Sequence, residues 1–272
     1  MSESVGVALL PTAPDGVVAS LDGARTNWVW LADIAGWERA LELGWNVPPP
    51  APSLAEHFAT VHWLGLAGSL LARRRAELAA AGLANVSPAC ASPLALPYRD
   101  ATFDCVALAS GCETPPPPRP QSLNDCGPHD RLLRECRRVL RQGGCLYLGI
   151  LDASWWRQAA PHRVPPPGPA SSPRSGGVRA LRPARRALQR HATRVLGLKR
   201  RLTRAGFSRV QLHGVEPSAA APRCIIPLEA PTVLAYERWV RDPSARAPLR
   251  RMAARVRLSW ALYPALIFLA YA

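Results

Sequence analysis

Lysine is almost missing from this chain: Lys199 is the one lysine among 34 basic residues, and the others are arginine. With 29 prolines and many alanines beside them, the arginines mark a compositional preference. The formal net charge of +15 therefore does not by itself demand an acidic partner. Acidic residues are absent from Ala153 to Val215, where basic side chains recur from Arg157 to Arg209. Aromatic residues are also absent between Trp156 and Phe207, so no stacking platform accompanies that charge, which argues against a nucleic-acid role. The seven cysteines include no C-x-x-C pair, a usage that fits reduced thiols in a cytoplasm rather than a disulfide framework. Cys112, Cys126 and His129 match no zinc-ligand spacing, so no metal is expected. The N-terminal MSESVGVALLPTAPDG lacks the basic region of a signal peptide and is broken by proline.

What is present is a globular chain. It has 272 residues, of which 48% are hydrophobic, enough for one large domain with an appendage. Short apolar runs alternate with helical patterns through the first half. Trp28–Ile34 (WVWLADI) reads as a strand and the following WERALELGW as a helix. Thr60–Leu66 reads as a second strand, and Ser69 opens an Ala/Leu/Arg/Glu-rich helix closed by Gly82. A third strand begins at Val86, and Thr102–Leu108 is a fourth. Asp130–Leu140 forms an amphipathic helix ending before Gly143–Gly144, and Cys145–Leu151 makes a fifth strand. The Pro-rich 112–128 and the Pro/Ser/Gly/Arg-rich 160–182 interrupt the pattern as a stiff loop and a linker-like insertion. A basic helix over 184–205 leads to a sixth strand, SRVQLHGV. Alternation at this spacing predicts an α/β, Rossmann-like, doubly wound and mainly parallel sheet over residues 27–215. Residues 1–26 form an N-terminal segment, and 216–272 are expected to be a helical C-terminal extension.

The last stretch, LSWALYPALIFLAYA, has fifteen residues without a charge. As a helix it would rise only about 22 Å, short of a roughly 30 Å hydrocarbon core. Arg246, Arg250, Arg251, Arg255 and Arg257 precede it, and Trp260, Tyr263 and Tyr271 lie within it. This pattern suits either a peripheral contact with an anionic membrane surface or a core helix.

Four stretches carry a resemblance when taken in order. LALPYRDATFDCVALAS (94–110) is similar to an LPF-x-D-x-x-FD-x-V block, and LLRECRRVLRQGGCLYLGI (132–150) to E-x-x-RVLKPGG-x-L. VHWLGLAGSLLARRRAELAAAGLANV (61–86) covers a strand, its helix and the approach to the next strand. LTRAGFSRVQLHGV (202–215) is similar to a late L-x-x-AGF-x-x-V turn. Together they resemble the class I S-adenosylmethionine-dependent methyltransferases, of the kind that includes the ubiquinone and menaquinone methyltransferases.

The resemblance implies S-adenosylmethionine as cofactor and a set of contacting positions. The acidic-x-Gly-x-Gly-x-Gly loop falls on LADIAGWERA, with Asp33 for the acid, Gly36 for one glycine, and Ala35 and Trp37 at the others. The ribose-binding acid falls on Gly65, next to Leu66, and the adenine-binding acid on Ser92, next to Pro93. Ser110, beside Ala109 and Gly111, would face the ligand at the end of the fourth strand. Methyl transfer from a sulfonium needs alignment more than a base; His129 is the one candidate general base, and Trp155–Trp156 could line an apolar acceptor pocket. Asp104, at the amino end of its strand, is expected to cap a neighbour or pair with an arginine. Losing a charge-assisted hydrogen bond at the ribose costs about 1.5–3 kcal/mol, so the degenerate motif implies weak cofactor binding. Two readings follow. One is a methyltransferase acting on a small molecule, with lipid- and sugar-related acceptors foremost; the other is a catalytically inactive scaffold or partner subunit of the same fold.

Overall fold

The computed structural model describes residues 18–19, 27–43, 54–65, 71–108, 128–150, 195–217, 222–240, 246–263 and 265–272. Their strands are β1 (Val18–Ala19), β2 (Arg39–Leu43), β3 (Thr60–Gly65), β4 (Val86–Cys90), β5 (Phe103–Leu108), β6 (Leu140–Ile150), β7 (Arg209–Pro217), β8 (Pro222–Pro227) and β9 (Ala265–Tyr271). The helices are α1 (Leu71–Ala80), α2 (Pro128–Val139), α3 (195–204), α4 (Ala230–Val240) and α5 (Arg246–Arg255). All nine strands join one sheet in the order β1-β8-β7-β9-β6-β5-β2-β3-β4. The segment β4-β3-β2-β5-β6 is parallel throughout, and β9 then inserts antiparallel between β6 and β7.

Both faces of the central strands are covered, which is why they read as continuous apolar runs rather than alternating ones. One face carries Leu41, Leu43, Val106, Leu108, Leu146 and Phe268 against Leu133, Cys136 and Val139 of α2 and Val195 and Leu202 of α3. The other carries Ala40, Val61, Cys105, Ala107, Tyr147 and Leu269 against Trp28, Val29, Leu54 and Phe58. Crossovers therefore lie on opposite faces on the two sides of the β2/β5 junction, where strand order reverses. The architecture is a Rossmann-like doubly wound sheet.

Three sequence expectations are corrected here. First, Trp28–Ile34 is not a strand. Asn27–Leu31 forms a 3-10 turn whose Trp28 stacks on Tyr147 at 4.0 Å between centroids, and the first parallel strand is β2, inside the stretch expected to be helical. Second, Gly143–Gly144 do not close α2, because β6 begins at Leu140, directly after it. Between Phe103↔Leu140 and Cys105↔Cys145 the register advances two residues on β5 and five on β6, so residues 141–144 bulge. Gly143 takes φ +77° there, a conformation glycine adopts without strain. Third, the apolar tail is a buried strand and not a helix. Every residue of β9 is buried, because β6 and β7 flank it and both sheet faces are covered. Tyr263 and Tyr271 are buried and Arg250 is nearly so, so these side chains are withdrawn from a membrane surface. No helix among the described residues is long and apolar enough to cross a membrane.

Candidate functional site

In an open α/β sheet a ligand crevice forms beyond the carboxyl ends of the strands where their order reverses. Here that place is bounded by the ends of β2, β5 and β3. Glu42, one residue from the end of β2, lies opposite Trp63 on β3 and Ala107 on β5. It is 7% exposed. No cation stands beside it among the described residues, and burial alone pushes its carboxyl up to about 8.

Glu42 was not among the positions expected from the sequence. The acidic loop expected at Asp33–Trp37 lies ahead of β2, the first parallel strand. The signal was present in A-L-E-L-G (40–44), an apolar run carrying a single acid two residues before a glycine.

The residues assigned to that loop lie at the other end of the sheet. Asp33 accepts from Arg209 Nη2 at 2.9 Å and donates its backbone N–H to the Tyr271 hydroxyl, placing it at the start of β7. A Cβ on Gly36 would stand 2.9 Å from Asp104 Oδ1, and one on Gly143 would meet the Ala35 Cβ at 3.5 Å. Asp33, Ala35 and Gly36 therefore border the amino ends of the parallel strands. Trp37 tilts against Phe58 on the same side.

Asp104 occupies the capping position its sequence context suggested. It accepts from the backbone N–H of Glu38 and Arg39 at 3.0 and 2.9 Å and pairs with Arg141 at 2.9 Å. One carboxylate thus fixes the starts of β2, β5 and β6 relative to one another.

Gly65 ends β3, at the carboxyl side of the sheet. A Cβ there would fall 2.7 Å from Cη2 and 3.0 Å from Cζ3 of Trp63. The indole, 7% exposed, fills the volume that an acidic side chain at this position would need. Ser92, just past β4, is exposed; its hydroxyl accepts from Leu94 N–H at 3.3 Å, and Pro93 beside it is buried. The following turn is clamped to α2. Glu135 accepts from Leu96 N–H at 2.8 Å, while Arg138 donates to the Leu96 and Tyr98 carbonyls and pairs with Asp100 and Glu135. These bonds hold the Glu135 carboxyl below its usual range and raise the Arg138 guanidinium further. The E-x-x-R of the sequence is thus a loop clamp. His62 packs edge-on against Tyr98 and Phe103, and burial lowers its pKa.

Leu66, Ser110, Ala109, Gly111, Trp155 and Trp156 lie outside the described residues, as do the insertion at 160–182 and all of the Pro-rich loop but Pro128. His129 is in the first turn of α2. Among the described residues no group of His, Cys, Asp and Glu could hold a metal.

The sheet order defines a Rossmann-like, doubly wound α/β domain, with Glu42 beside its strand-order reversal. Residues 41–148 match the methyltransferase domain family. No functionally curated protein matches the chain in sequence. Among solved structures it is similar to the YcgJ protein from Bacillus subtilis, at 13% identity and TM-score 0.45, covering 91% of this chain and 97% of that one. It is also similar to Haemonchus contortus phosphoethanolamine N-methyltransferase 2, solved with phosphomonomethylethanolamine and S-adenosylhomocysteine. That match has 15% identity and TM-score 0.46, covering 92% of this chain and 52% of that one. These are likenesses in chain course and transfer no ligand or reaction.

S-adenosylmethionine, the cofactor such a domain implies, fits the described residues at one end. Glu42 supplies an acid at the strand-order reversal, and Ser92 a hydroxyl past β4. At Gly65 no side chain can hold a ribose, and the indole of Trp63 occupies the place.

Proposed function

We propose that the chain is an S-adenosylmethionine-dependent methyltransferase with a weakened hold on its cofactor, acting on a small molecule, with lipid- and sugar-related acceptors the first to test. The observation that carries this is Glu42, a lone buried acid at the strand-order reversal inside the stretch that matches the methyltransferase domain. When bound, the cofactor supplies a methyl group on a sulfonium. Glu42 would face its charged end, and Ser92, Pro93, Leu66 and Ser110 would line the remainder. Without a ribose carboxylate, binding is weaker by about 10- to 100-fold than with one.

A second reading, a catalytically inactive protein of the same fold serving as partner or scaffold, is favoured by one observation: the indole over Gly65. Calorimetric titration with S-adenosylmethionine and S-adenosylhomocysteine separates the two. Saturable binding weaker than low micromolar supports the first reading, and no binding supports the second. Nanomolar or low-micromolar affinity would overturn the weakened site.

A further inference from the structure

β8 pairs with β7 only from His213 to Pro217, and Leu228 N–H closes the pairing on Leu212 O at 2.9 Å. Below that point the edge of β7 borders a cavity of about 470 Å³, the size of a small-ligand site. It is separate from the place Glu42 occupies on β2. Three strands, β5, β6 and β9, intervene, which amounts to about 19 Å at ~4.8 Å per strand.

Two lining residues are buried polar groups with nothing to bond. His213 and Ser259 are each 3% exposed. His213 Nδ1 and Ser259 Oγ have no hydrogen-bond partner among the described residues, a state native interiors rarely tolerate. Burial lowers the His213 pKa to about 4, so its imidazole is neutral near pH 7 and can present one N–H. Lys199 and Arg257 also line the cavity, with one opposing charge from Glu229 and an aromatic wall from Trp260. Arg257 sits at φ +58°, just past the end of α5, where its N–H donates to Ala254 O and the next N–H to Ala253 O. Glycine is the residue that takes this helix-ending position without strain; here an arginine bears the strain and contributes a cation to the cavity.

We infer that this cavity is a binding site for a small organic carboxylate with an apolar or aromatic body. The carboxylate would accept from Ser259 and His213 and lie near Lys199 and Arg257, with its body against Trp260. The excess of one positive charge, Lys199 and Arg257 against Glu229, selects a single small acid over a polyanion.

The test uses the full chain and indole-3-acetate, with uncharged indole as control and calorimetry as readout. Indole-3-acetate should bind with a submillimolar Kd, more tightly than indole, and S-adenosylhomocysteine should not compete. Arg257→Gly should weaken binding about tenfold while raising the melting temperature. His213→Phe should abolish binding and melt no lower than the parent, because it removes an unbonded buried polar group. The inference is overturned if indole-3-acetate fails to bind at millimolar concentration. It is equally overturned if S-adenosylhomocysteine displaces it, or if both variants bind as the parent does.

Discussion

Replacing Glu42 with Gln should change how stability depends on pH. The folded chain holds the Glu42 proton up to about 8, while the ordinary carboxyl value is 4.5. Unfolding therefore releases a proton between these values, and stability is fully present below pH 4.5 and lost progressively as pH rises toward 8. Each tenfold in proton affinity is worth about 1.4 kcal/mol, so the loss is about 3 kcal/mol at pH 7 and at most about 5 above pH 8. Gln is neutral at every pH and keeps the shape. For a chain of this size 1 kcal/mol moves the melting temperature by about 2–4 °C. Glu42→Gln should then melt about 6–12 °C above the parent at pH 7 and close to it at pH 4.5. His213 and His62, both lowered by burial, act in the opposite sense, costing stability as pH falls. They are shared by both proteins and cancel in the difference. Scanning calorimetry at a series of pH values reads the difference directly. A gap between variant and parent that stays constant with pH would refute the placement of Glu42 as a buried, unpaired acid.

Gly65→Asp alone should not tighten S-adenosylhomocysteine binding, since its Cβ would meet Trp63 at 2.7 Å. Trp63→Gly combined with Gly65→Asp should tighten it about tenfold or more, measured by calorimetry, and a gain from Gly65→Asp by itself would contradict the steric account. Arg250→Met should cost about 3–5 kcal/mol in a denaturant titration, because Arg250 pairs with both Glu216 and Glu237 and its loss leaves two carboxylates in a largely buried place. Removing residues 265–272 should prevent folding, as judged by the loss of a cooperative thermal transition; a truncated chain that still melts cooperatively would show that β9 is dispensable.

The parallel sheet was legible because β3, β5 and β6 are short apolar runs bounded by turn chemistry, and because α2 keeps its apolar residues on one face. β2 was not legible. Arg39 and Glu42 give RALEL a helical look, yet Arg39 is exposed at the strand's start and Glu42 is an acid held in the interior. The apolar run at Trp28–Ile34 reads as a buried strand because a short run buried by packing has no period of its own. β9 failed for a related reason. A strand covered on both faces and paired on both edges shows neither alternation nor charge, which is also how a buried or interfacial helix appears. Gly65 was placed correctly at the end of its strand, but no spacing rule could reveal that Trp63, two residues earlier, lies over it.

The position of β9 also has a consequence for how the chain acquires its structure. β9 follows both of its neighbours in sequence, and its residue Tyr271 pairs with Cys145 on one side and Arg209 on the other. During synthesis, β6 and β7 therefore wait as two unpaired edges, each a template for another chain. The central sheet can close only after more than a hundred residues have followed β6. Contacts of such sequence separation form slowly, so the closing of this sheet waits on the last strand to leave the ribosome.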